Sequence, residues 1–390
     1  MTTTIIITIC TLLLLAYVFD ISSALTKIPS VILLLLLGWT VKQAVEMFSI
    51  RIPDLNPLLP ILGTIGLILI VLEGSLELEL NKSKLPLIKK SLLNALIPMF
   101  ALAFLFAFAF QYFSQISFKM ALVNAIPFCV ISSAIAIPSA RNLSNFNKEF
   151  ITYESSLSDI FGVLLFNFIA LNQIINAHSF GNFAKQLLLI IVISFVAVLG
   201  LSFLLSRIKH HITFTPIILI VILIYAVSKV YHLPGLIFIL VFGLFLGNLD
   251  ELKRFNWIEK LRPEKLDKEV KKFKEITTEA TFLTRALFFL LFGFLMQAKE
   301  ILNPATIPWA AGIVLSIILV RWIALKFSKL PSSPLLFVAP RGLITILLFL
   351  SILPEQGISI VNKSFVIQTI ILSILVMMLG LMTAKKNETK

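Results

Sequence analysis

Two acids, Glu154 and Asp159, stand in the run YESSLSDIFGVLLFN at 153–167, which is otherwise apolar enough to cross a bilayer. An ionised side chain at mid-membrane costs at least about 2.5–3.5 kcal/mol, so it faces a bundle interior or a water path and takes a partner there. On a helix Ser155 and Asp159 are one turn apart and share a face, as do Glu154 and Ser158. The two acids therefore point in different directions, and two separate roles are expected for them.

The elements that must position these acids follow from composition. The chain has 390 residues, of which 58% are hydrophobic and 14% charged; a soluble domain is about 45–50% apolar. This is an all-α polytopic membrane protein. Its net charge of +13 lies in Lys and Arg between apolar runs, not in one stripe with interleaved aromatics, which argues against nucleic acid as a partner. Cys10 and Cys129 fall within apolar runs and form no ligand-type cluster, so neither a disulfide framework nor a metal site is indicated, and no cofactor is expected. No His-Glu metal spacing, Gly-x-Ser-x-Gly elbow or aspartate pair is present, so the chain does not read as an intramembrane enzyme. The first apolar run, 4–25, has no Lys or Arg before it and is too long for a signal-peptide core, which makes it a retained span.

Runs of about 17–25 residues, the length a bilayer requires, predict thirteen spans near 4–25, 28–46, 56–76, 85–112, 117–139, 149–174, 183–207, 212–230, 234–248, 279–298, 304–327, 333–353 and 363–383. Lys and Arg gather in alternate loops, among them Lys82, Lys84, Lys89 and Lys90, then Arg141 and Lys148, then the loop 249–278 and the final Lys385, Lys386 and Lys390. By the positive-inside rule this puts the N-terminus outside and the C-terminus in the cytoplasm. In the loop 249–278, Leu266, Val270, Phe273 and Ile276 make one apolar stripe among Lys and Glu, which reads as an interfacial helix joining two halves, or as a solvated linker.

An internal repeat is visible. Pro29 to Gly38 (PSVILLLLLG) matches Pro234 to Gly243 (PGLIFILVFG), and LEGSLEL at 72–78 matches LFGFLMQ at 291–297; each places the partner seven spans on. An odd offset reverses orientation, so the expected arrangement is an inverted repeat: repeat one at 1–176, a connector at 183–207 and repeat two at 212–384. The same offset pairs the fifth span with the twelfth. These are the two whose helices are interrupted, by Ser132-Ser133 with Pro138 and by Pro334 with Ala339-Pro340-Arg341-Gly342. Proline removes a backbone donor, and Gly and Ser ease unwinding, so half-helix ends and free carbonyls become available inside the membrane.

These motifs resemble, in order and spacing over nearly the whole chain, the monovalent cation:proton antiporter superfamily, which includes bacterial sodium/proton exchangers and Kef-type potassium/proton antiporters. LEGSLELELNKSKL at 72–85 is similar to the segment closing that family's third span, SSAIAIPSA at 132–140 to its first crossing helix, ESSLSD at 154–159 to its ion-binding motif and PRGLIT at 340–345 to its second crossing helix. The resemblance implies a homodimer in the cell's inner (plasma) membrane. It also implies a scaffold (about 1–76 and 212–298) against which a core (about 85–174 and 304–384) moves like an elevator, exchanging Na⁺ or K⁺ for H⁺.

Carried over residue by residue, the resemblance makes Asp159 the cation- or proton-binding carboxylate. Ser155 would lend it a hydroxyl oxygen, backbone carbonyls near Ser132 and Ser133 would complete the site, and Glu73 would be a helper acid. Glu154 would be a structural acid paired to Arg321. Those two lie at depths that agree to about 1.5 Å at a helical rise of 1.5 Å per residue, and Arg285, at a similar depth, is the competing partner. Arg341 reads as an anion contact or as a charge balancing the half-helix ends. Ser158 is counted with the cation- and proton-binding residues although the sequence departs from the family there, where Asn or Asp is usual, and at Ser132-Ser133, which is nearer the Kef-like pattern. With one titratable group free to cycle, exchange is expected to be electroneutral. The alternatives are a non-transporting sensor or scaffold of the same fold and an organic-anion symporter of related architecture.

Overall fold

The computed structural model describes residues 2–50, 52–172, 175–207, 214–249 and 263–383. Its regular secondary structure among these residues is helical, which lets most of the backbone satisfy its own hydrogen bonds where no water can. The helices are α1 (Thr2–Thr26), α2 (Ser30–Met47), α3 (Leu58–Glu77), α4 (Leu85–Ser114), α5 (Phe118–Ala125), α6 (Ser133–Ser139), α7 (Asn145–Leu171) and α8 (Ala177–Arg207). They continue with α9 (Phe214–Val230), α10 (Gly235–Gly247), α11 (Pro263–Leu295), α12 (Ala298–Ile301), α13 (Ile307–Phe327), α14 (Leu343–Leu350) and α15 (Lys363–Thr383). Ten segments among the described residues are long and apolar enough to cross a membrane, one of them the interrupted stretch Phe118–Ser139. The shorter α9 and α10, and the broken stretch ending in α14, take the places of the remaining three predicted spans.

The chain divides into two compact units. The first comprises Met1–Thr64, Lys90–Phe166 and Leu283–Lys390; the second comprises Ile65–Lys89 and Asn167–Phe282. In the first unit lysines close helix ends. Lys42 Nζ donates to Met296 O (3.1 Å) and Lys363 Nζ to Leu295 O (2.9 Å), both at the C-terminus of α11, while Lys27 Nζ donates to Leu381 O and Met382 O at the end of α15. These are the carbonyls a helix leaves without intrahelical partners, at its negative end. In the second unit Asn248 does the corresponding work, donating to Leu78 O (2.8 Å) and accepting from Leu80 N, so that it holds the chain leaving α3.

Two glycines make close helix approaches. A Cβ on Gly38 of α2 would strike the backbone of α11 at Leu290 and Phe294, and a Cβ on Gly243 of α10 would strike Ser75 and Leu76 of α3. Small residues let helix backbones meet in a membrane, where packing rather than the hydrophobic effect holds helices together. The two contacts fall at positions that the repeat expected from the sequence would equate, Gly38 against Phe294 and Gly243 against Ser75, each joining one expected copy to the other.

The predicted amphipathic segment 249–278 takes a different form where it is described. Residues 263–278 are the first turns of α11, which runs on without interruption into the tenth span for 33 residues. Val270 and Phe273 are buried and Ile276 is exposed. Residues 250–262 of that segment and the side chain of Leu266 lie outside the described residues, as do Lys385, Lys386 and Lys390.

Candidate functional site

The fifth and twelfth spans are both broken in mid-course, and the breaks face each other. After α5 the chain makes a 3-10 turn over Ile126–Phe128, with Pro127 inside it, then turns and bends at Cys129 and Val130 and reaches an extended Ser132 before α6 begins. Residues 331–342 form no regular helix, and α14 starts only after Gly342. The two breaks are joined by a backbone hydrogen bond from Ser132 N to Pro340 O (2.9 Å). A Cβ on Gly342 would meet the Ile135 side chain and, at 3.0 Å, Ser132 Oγ, so a larger residue there would wedge the breaks apart.

Every freed backbone group at such a break must find a partner. Helix α7 supplies one: Ser158 Oγ accepts a hydrogen bond from Ile131 N (3.0 Å). Another comes from α15, where Ser373 Oγ accepts from Arg341 N (2.9 Å). The fully buried Arg341 guanidinium then gathers carbonyls from both breaks, donating through Nε to Phe128 O (2.7 Å), through Nη1 to Ala339 O (2.8 Å) and through Nη2 to Cys129 O (3.4 Å). Of the two readings of Arg341, a contact to an anion and a charge against the half-helix ends, this geometry matches the second, since positive charge is favourable beside helix C-terminal carbonyls.

Helix α7 brings Asp159 to the first break. Its Oδ2 accepts from both the backbone N–H (3.3 Å) and the hydroxyl of Ser133, while its Oδ1 accepts nothing from the described residues. The carboxylate is 2% exposed. No Lys, Arg or His pairs with it among the described residues. The neighbouring Ser132 hydroxyl is likewise buried without a partner. Ser155 donates to Ile151 O (2.7 Å) on its own helix, which leaves its oxygen lone pairs unused by that bond.

Glu154, on the other side of α7, has a different environment. Arg321 of α13 forms a two-pronged pair with it, Nη1 to Oε1 at 2.8 Å and Nη2 to Oε2 at 2.7 Å, and its Nε donates to Leu335 O (2.7 Å) near the second break. Arg285 is elsewhere: its Nη2 lies 3.6 Å from Asp20 Oδ1 on α1. Asp20 also takes Arg141 Nη1 at 2.8 Å and the hydroxyl of Ser30 at 3.4 Å. The sequence reading passed over Asp20. A single acid five residues before the end of the apolar run 4–25 was the available signal, and it would have given Arg285 a partner. Glu73, on α3, is half-buried and belongs to the second unit.

The arrangement therefore consists of two crossed broken helices, an arginine on their carbonyl ends and one buried carboxylate without a counter-charge among the described residues. A protein-family model for the transmembrane region of sodium/hydrogen exchangers matches residues 9–385. The chain belongs to the sodium/hydrogen exchanger family. It is a multi-pass membrane protein of a cation/proton antiporter family, a transporter and not an enzyme. Two structures of the sodium proton antiporter MjNhaP1 from Methanocaldococcus jannaschii share its fold. One, at pH 8, has a TM-score of 0.69 and 17% identity over 98% of both chains. The other, from electron microscopy, has a TM-score of 0.72 and 18% identity over the whole of both. A comparison with curated proteins found no match. Within this exchanger fold, the interrupted fifth and twelfth spans are the crossing helices that the sequence resemblance implied.

Proposed function

We propose that this exchanger moves one monovalent cation, Na⁺ or K⁺, against one proton, and that the two compete for Asp159. The observation that carries the reading is the contrast between the two buried acids of α7. Glu154 is neutralised by Arg321, whereas among the described residues Asp159 has neutral donors on one oxygen and none on the other. A carboxylate in a low-dielectric interior is costly as a bare charge, so it holds either a proton or a cation. Binding one expels the other, which is the exchange step.

The oxygens available to a cation are Asp159 Oδ1, the Ser132 hydroxyl and the lone pairs of Ser155, with Ser133 fixing the carboxylate. Such a set suits a hard monovalent ion and does not by itself choose between Na⁺ and K⁺, whose discrimination depends on cavity size and ligand field. Ser158 is committed to the backbone of Ile131 and acts as a support for the break. In the proposed cycle the core (about 85–174 and 304–384) carries the loaded site across the membrane against the scaffold (about 1–76 and 212–298). The protein works as a homodimer in the plasma membrane, with its C-terminus in the cytoplasm. Glu73 is assigned to the scaffold as a helper acid.

The test is proton flux in sealed proteoliposomes carrying an imposed pH gradient, on addition of Na⁺, K⁺ or Li⁺. Dissipation of the gradient by Na⁺ or K⁺ is expected, and a gradient untouched by all three would overturn the reading.

A further inference from the structure

The charge cluster on Asp20 stands outside the ion site but is tied to it through a short rigid element. Helix α6 begins at Ser133, whose N–H and hydroxyl hold Asp159, and ends at Ser139; Arg141 stands two residues on, its N–H donating back to Pro138 O (3.4 Å). Seven helical residues span about 10 Å at 1.5 Å per residue. The Arg141 guanidinium thus rides on the far end of the element that grips the candidate cation carboxylate. Its Nη1 lies 2.8 Å from Asp20 Oδ2, with Arg141 47% exposed and Asp20 14% exposed.

Asp20 is built to lose this contact without being stranded. Its other oxygen faces the Arg285 guanidinium at 3.6 Å, and the Ser30 hydroxyl donates to that same oxygen at 3.4 Å. Arg285 is buried and remains beside Asp20 when Arg141 departs, so the acid keeps a counter-charge in both situations. A buried pair broken by losing its only partner pays heavily, whereas a half-exposed arginine that swings into water from an acid still paired elsewhere pays little. The contact has the character of a latch.

We infer that Asp20 and Arg141 form a salt-sensitive latch that holds α6, and with it the Asp159 site, in the state seen here. This rests on the proposed role of Asp159 for its meaning in transport, but the latch itself does not depend on that role. Because one partner is half-exposed, the latch weakens as ionic strength rises on that face of the membrane. The exchanger's conformational balance is then set in part by the salt content of the solution it faces.

The test reads α6 directly. In a chain with Cys10→Ser and Cys129→Ser, a reporter Ser139→Cys at the end of α6 is labelled with a membrane-impermeant maleimide, with the protein in proteoliposomes of both orientations. The labelling rate is expected to change about two- to fivefold on Arg141→Gln, the range appropriate to an exposed ion pair. Arg141→Lys should retain the original rate. Raising the salt concentration should move the parent protein toward the Arg141→Gln rate and leave that variant unchanged. The same pattern is expected with Asp159→Asn added, which separates failure of the latch from failure of the transport reading. Equal rates for the parent and Arg141→Gln, a Lys variant that behaves like Gln, or a salt response that survives in Arg141→Gln would each overturn the proposal.

Discussion

Two acids five residues apart on one helix have opposite surroundings, and the difference can be measured in stability as well as in transport. Glu154 and Arg321 are both nearly inaccessible and meet through two short hydrogen bonds. Removing one member of such a pair strands the other and typically costs about 3–5 kcal/mol. Glu154→Gln and Arg321→Gln should each lower the thermal transition of the purified protein markedly. The double variant should lose less than the two losses added together; simple additivity would show that the pair is not coupled. Asp20→Asn should cost less than Glu154→Gln, because Arg141 can reach water once released, although Arg285 remains buried. A larger loss for Asp20→Asn than for Glu154→Gln in the same melting experiment would contradict this ranking.

At the scale of elements, the two broken helices persist because the groups freed by unwinding are collected by side chains from α7 and α15 and by Arg341. Ser158 is the clearest case. Ser158→Ala leaves Ile131 N–H buried and without an acceptor, which costs about 1–3 kcal/mol. Ser158→Thr, which keeps the hydroxyl, should recover most of that loss in a thermal-shift measurement, and an Ala variant as stable as the parent would remove the support role. Much of this was legible in the chain. Paired Pro, Ser and Gly interruptions at one repeat offset announced the breaks, while the pairing of Glu154 with Arg321 came from the family resemblance, since depth alone left Arg285 as a competitor. The destination of Ser158 was not legible, since a serine one residue from an acid looks like a ligand, and only the course of the unwound Ile131 backbone shows that it is an anchor. The Arg341 carbonyl cluster was open for the same reason: its partners are backbone atoms, which have no sequence signature. Helix α11 extended further than the charge pattern suggested because nothing between 263 and 295 breaks a helix. Its Lys- and Glu-rich start continues into the apolar part without Gly or Pro until Gly293.

For the whole molecule, the proposed single cycling carboxylate would give the loaded site the same charge with a proton as with a cation. The membrane potential then does no net work on exchange, whereas one net charge moved per cycle would couple about 2.3 kcal/mol per 100 mV. The equilibrium cation gradient in sealed vesicles should therefore be the same with the potential held at zero and with a large potential set by an unrelated conductive ion. A shift with potential would make Glu73 the next acid to neutralise. The central claim, competition at Asp159, is tested most directly by comparing Asp159→Asn with the parent in proteoliposomes carrying a proton gradient. The account predicts that Na⁺ or K⁺ collapses the gradient across the parent membrane and leaves it standing across the variant, with both proteins melting as folded molecules in detergent. Cation-driven proton flux through folded Asp159→Asn at the parent's rate would contradict it.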